Sequence, residues 1–139
     1  MDADIKRDRL EAELLKSMEN DQPMRWGVDD CALWCADILK AALGYDAALS
    51  FRGRYDSSDG AQDVLGDGGL PRALRNAARQ HGWRRVAPGN EGVGDIALMR
   101  AGGVISTVIC RAPGWFVGRG ESGWVAVPTR LVKPIWAVA

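Results

Sequence analysis

Three cysteines, one histidine and a large set of aspartates are the side chains here that could do chemistry, and Cys31 has the most informative neighbours. It stands in the segment WGVDDCALWCADIL, where Asp29 or Asp30 can cap a helix running from Cys31 to about Leu43 and ending at Gly44. A thiol in the first turn of a helix feels unpaired N–H groups and the positive end of the helix dipole, and both favour the nucleophilic thiolate. The adjacent carboxylates of Asp29 and Asp30 oppose it. Taken alone, a cysteine opening an apolar helix is also simply a small buried residue.

A thiol acting on an amide needs a base within hydrogen-bond reach. The one histidine, His81, lies in NAARQHGW at the end of a later helix, where the dipole favours a cation. A rearranged site using His81 is the alternative to that surface role. Asp30, Asp37 and Asp95 are the carboxylates available as substitutes. Asp95 reads as the turn residue before a strand, and Asp37 sits about a turn and a half beyond Cys31, on another face. No standard dyad assembles from these residues. Cys31 and Cys35, four apart on one helix, read as reduced thiols because a disulfide within a helix is geometrically awkward. A metal would need two further ligands beside them, and the chain offers only His81 and the distant Cys110, so neither metal nor cofactor is expected.

The elements that must position Cys31 can be read from periodicity and punctuation. Residues 4 to 19 read as an amphipathic helix, with Ile5, Leu10, Leu14 and Met18 near one stripe. The helix after Cys31, CALWCADILKAAL, is apolar nearly all round except at Asp37 and Lys40, which places it in the middle of a fold. Residues 44 to 60 read as loop, 61 to 65 as a short helix, and Pro71 opens a helix through about Gln80. Short strands are expected at 83–86, 96–99, 104–110, 115–117, 124–127 and 135–138, separated by Gly and Pro turns. Helices first and strands afterwards make an α+β fold, a buried central helix packed on a C-terminal antiparallel sheet.

Length and composition fit this picture. The chain has 139 residues, 47% hydrophobic and 26% charged, so one domain (1–139) with a real core is expected. Lys plus Arg and Asp plus Glu both number 18. That balance leaves no basic face for nucleic acid, and it suits a subunit of an assembly better than a free monomer. The charged N-terminus is unlike a signal peptide and no apolar run approaches a membrane span, so synthesis in a cytoplasm without membrane insertion is expected. Four of the six tryptophans (Trp83, Trp115, Trp124, Trp136) fall on strand segments, where packing is the simpler use than sugar stacking. Arg52 and Arg54 of FRGRY can clamp a carboxylate or phosphate, or pair with Asp56 or Asp59 to hold their loop down.

The segment WGVDDCALWCADIL, with GVGDIALM further along the chain, resembles the nucleophile helix and first sheet strand of NlpC-type, papain-like cysteine peptidases of the cell wall. With the FRGRYDSSDGA loop, GGL and the terminal IWAV, nearly the whole chain resembles a small phage-encoded relative of that superfamily, of the kind encoded among tail genes of long-tailed phages and prophages. The resemblance implies Cys31 at the nucleophile position and a histidine at the start of the next strand. In VISTVIC that place falls to Ser106 or Thr107, with Thr107 the expected match, and neither hydroxyl is a base near neutral pH. The resemblance therefore implies a degenerate domain in a phage tail tip, assembled with tail hub proteins in the virion. The alternative is an active cysteine endopeptidase or amidase that cuts peptidoglycan stem peptides with Cys31.

Overall fold

The computed structural model describes all residues, Met1–Ala139, as an α+β arrangement of four helices and one antiparallel sheet. The helices are α1 (Ala3–Met18), α2 (Cys31–Leu43), α3 (Ser58–Leu65) and α4 (Gly69–His81). Six strands come after them: β1 (Arg84–Val86), β2 (Ile96–Ala101), β3 (Val104–Ala112), β4 (Trp115–Gly120), β5 (Gly123–Pro128) and β6 (Val132–Ala137), the last after a 3-10 turn. Their order across the sheet is β1-β6-β2-β3-β4-β5. The final strand is thus inserted beside β2, while β2 to β5 form a simple meander.

α2 is the centre of the molecule because its sequence leaves it no other place. Leu33, Trp34, Cys35, Ala36, Ile38, Leu39 and Ala42 are buried, and only Asp37, Lys40 and Ala41 are exposed. Asp30, not Asp29, is its N-cap, and Gly44 closes it in the left-handed conformation (φ 87°) with its N–H on the Lys40 carbonyl. Leu10 and Leu14 of α1, together with Ile96, Leu98, Ile109, Val117 and Trp136 of the sheet, complete this core. The opposite face of the sheet buries Ala97, Val108, Cys110, Phe116, Val127, Val132 and Ile135 against one another. Val86, Met99 and Leu131 pack against this second cluster.

α1 packs directly on the turn before β2. A Cβ at Gly94 would lie 2.6 Å from a Leu10 methyl, and one at Gly92 would meet the Arg7 guanidinium. Arg7 Nη1 donates to Asp95 Oδ1 at 2.9 Å and to the Val93 carbonyl at 2.8 Å, while the Gly92 N–H donates to Asp95 Oδ2. The expected turn role of Asp95 is therefore joined by an ion pair to α1.

The short helix starts at Ser58, three residues earlier than 61, because Ser57 caps it by accepting from the Gly60 N–H. Trp83 is buried but precedes β1 instead of lying in it, and Trp115 is exposed. The simple assignment of all four strand tryptophans to packing holds for Trp83 and Trp136, whereas Trp124 is half-buried against Trp34 at 4.7 Å between ring centroids.

Candidate functional site

The Cys31 thiol faces β3. The β3–β4 ladder runs only from Ile109↔Val117 to Ala112↔Trp115, so the first half of β3 pairs with β2 alone. α2 presents its N-terminus to this half of β3. The Thr107 backbone amide and the Ser106 hydroxyl, both on β3, approach the sulfur from the sheet, and the Ala32 amide approaches it from the helix. Burial pushes the thiol up from its ordinary range. Asp30 adds to the rise, against the lowering from the Thr107 and Ala32 amides and the Ser106 hydroxyl. Cys35, one turn further along, is pushed up more strongly by complete burial, then by its neighbours Cys31, Asp30 and Asp37. All three cysteines are free thiols.

The residues that the sequence offered as bases are otherwise engaged. Asp30 is buried and spent as a cap: Oδ1 accepts the Leu33 N–H at 3.2 Å, and Oδ2 accepts the Gly27 N–H at 2.9 Å and the Tyr55 hydroxyl at 2.7 Å. Asp37 lies on the outer face of α2 and pairs with Arg52 at 2.7 Å. His81 stacks on Tyr45, ring centroids 4.2 Å apart, beyond the C-terminal end of α2. His81 is the last residue of α4, the C-terminal helix position expected of it, and is half-buried in this stack, which Trp83 extends by donating its indole N–H to the Tyr45 hydroxyl. Thr107, the residue matched to the histidine position, turns only its backbone amide to the thiol. Its register partner Leu98 belongs to the helix-facing core, so the Thr107 side chain shares that face, and its hydroxyl finds no partner there.

Two motif segments prove to be one structural unit. Gly27 has φ +80°, and a Cβ there would sit 2.0 Å from the Tyr55 carbonyl oxygen, so the Trp-Gly turn needs glycine for close approach as well as for its dihedral. Tyr55, the last residue of FRGRY, thus presses on that turn while its hydroxyl reaches Asp30. Arg52 holds the other end of the loop on α2, donating Nε to Asp46 Oδ2 at 2.6 Å and pairing with Asp37. These partners replace Asp56 and Asp59, which the spacing had suggested. Arg54 donates to the Ser50 carbonyl. Arg52 is thus committed to its two carboxylates, while Arg54 is exposed with a single backbone bond.

Sequence reasoning missed Tyr55 and Arg119. Arg119 on β4 is buried, donates to the carbonyls of Asn20 and Gln22, lies 3.5 Å from Asp29 and stacks over Trp124. It ties the β4–β5 hairpin to the segment that leads into Cys31. A lone arginine in FVGRGESGW carries no local signal of that long-range role, whereas the tyrosine of FRGRY, next to a Gly-containing loop, could have been weighed as a cap partner.

The arrangement offers a half-buried thiol, two backbone N–H donors and a hydroxyl. It can hold a polar oxygen or a neutral thiol, and it provides no proton acceptor for thiolate formation. A family model described as "Domain of unknown function (DUF6950)" matches residues 4–138, and the chain belongs to that family. A comparison with curated proteins finds no match.

Proposed function

We propose that this member of the DUF6950 family is a component of a phage tail tip, docked on tail hub proteins, which keeps a papain-like frame without hydrolysing peptidoglycan. One observation carries the non-hydrolytic part. The thiol at the nucleophile position is pushed toward its neutral form and faces a hydroxyl and an amide where a base is needed. The tail setting rests on the resemblance of the WGVDDC, FRGRY and GDIALM segments, and the balance of 18 basic against 18 acidic residues suits an assembled subunit. The alternative, a cysteine hydrolase of stem peptides, has one feature in its favour. The amides of Thr107 and Ala32 beside the sulfur are donors of the kind that stabilise an oxyanion.

Particles from a phage or prophage that encodes the chain provide the test. Deleting the gene is expected to give defective tails, and Cys31→Ser is expected to restore normal tails and infection. The purified protein should release no fragments from peptidoglycan, and Cys31 should alkylate at pH 6 more slowly than a thiol in an unstructured peptide. Normal tails without the gene would overturn the structural role. Fast labelling at pH 6 together with fragment release would establish the hydrolase.

A further inference from the structure

A cavity of about 60 Å³ lies between α2, α4 and the sheet. Of its 17 lining residues, 16 are apolar, among them Ala36, Leu39, Phe51, Leu74 and Trp83. Thr107 is the exception. It is 1% exposed and its Oγ1 has no hydrogen-bond partner. A buried hydroxyl without a partner is destabilising, and valine would fill the same volume without that cost. Tyr55 and Trp83 also line the cavity, but their polar atoms are committed to Asp30 and Tyr45. One uncommitted oxygen therefore stands in an otherwise apolar chamber.

We propose that this cavity binds a small neutral molecule with an aliphatic body and a single oxygen, which hydrogen-bonds Thr107 Oγ1. The absence of any charged side chain from the lining argues against an ionic ligand. The Asp30 carboxylate, bonded to the hydroxyl of the lining residue Tyr55, further disfavours an anion. Size argues for a chain instead of a ring: the space is well below the roughly 150 Å³ of an apolar cavity that admits benzene. A short alkyl segment fits inside, and a longer one continues through the mouth. The inference is independent of the tail-tip reading, since it requires neither a partner protein nor a reactive thiol.

Titration of the isotope-labelled full chain with 1-hexanol, monitored at the Trp83 indole and Thr107 amide resonances, tests it. Saturable shifts of both are expected, and none from hexanoate at the same concentration and neutral pH. Thr107→Val should weaken hexanol binding about three- to tenfold, the loss of one neutral hydrogen bond, while raising the melting temperature of the free protein. Thr107→Ser should restore the affinity, and Ala73→Leu, which fills the cavity, should abolish binding. Equal binding of hexanoate, unchanged affinity in Thr107→Val, or persistent shifts in Ala73→Leu would each overturn the proposal.

Discussion

The two ends of α2 hold the two groups that a cysteine hydrolase needs, and hold them apart. At the N-terminal end stands the thiol of Cys31, with the Thr107 amide, the Ser106 hydroxyl and a carboxylate, Asp30, already engaged by three donors. Beyond the C-terminal end stands the imidazole of His81, stacked on Tyr45. The 13-residue helix between them is roughly 18 Å long. Each group is used for packing or capping by its own end, and neither serves the other. Chemistry depends on placement, and an inventory of reactive side chains says little until the elements that carry them are in position.

The strongest way to test the comparison is to disable the N-terminal end. Asp30→Ala removes the cap of α2 and leaves the Gly27 N–H and the Tyr55 hydroxyl without their acceptor. A loss of about 3 kcal/mol is expected, from the cap and the stranded buried donors together. Urea denaturation measures it, and a loss below about 1 kcal/mol would mean that the Trp-Gly turn and the loop hold the helix end without Asp30.

Alkaline pH acts on both ends and on the sheet. Cys110 is pushed up to about 12 by burial, then by Asp95 and Glu91, and Cys31, Cys35, Tyr45 and Tyr55 are raised mainly by burial. For each, the folded chain keeps its proton when the unfolded chain has released it. Their stabilisation is therefore complete below the unfolded value, near pH 8.5 for a thiol, and is lost as pH rises toward the folded one. Cys110 alone should cost the fold about 2 kcal/mol between pH 8.5 and 10. A flat stability across that range, measured by denaturant midpoint, would show that the thiols titrate as if exposed.

Much of this architecture was legible because it is local. The helix after Cys31, its cap, its glycine stop and the Gly-Asp turn before β2 are all set by residues adjacent in the chain, and the α+β class is set by their order. The N-terminal helix showed its stripe, though Ile5 at one end of it is exposed. What could not be read was long-range. The pairing of Arg52 with Asp37 and Asp46, the grip of Arg119 on the Asn20–Gln22 backbone, and the insertion of β6 beside β2 join positions with no periodic relation to one another. The end of the β3–β4 ladder at Ile109 and Val117 belongs to the same class. Alternation in VISTVIC predicts a strand, but only the neighbouring ladder decides which amide is left to face a thiol. For that reason Thr107 matched the expected position while its side chain turned to the core.

Removing the imidazole makes the smallest change and the most discriminating one. His81→Ala takes away a near-parallel stack on Tyr45, at 14° between planes, and leaves the Trp83 indole bond to the Tyr45 hydroxyl in place. Aromatic contacts of this kind contribute about 1 kcal/mol, so the denaturation midpoint should fall slightly. Alkylation of Cys31 is the second readout. Its rate depends on the thiolate fraction, which is set by burial, Asp30 and the Thr107 and Ala32 amides at the other end of α2. The rate-against-pH profile should therefore be the same in His81→Ala as in the unaltered chain. A profile displaced by the substitution would bring the two ends into communication and would make His81 a positioning residue for the thiol. An unchanged profile with a slightly lowered midpoint leaves the histidine as packing for the C-terminal end.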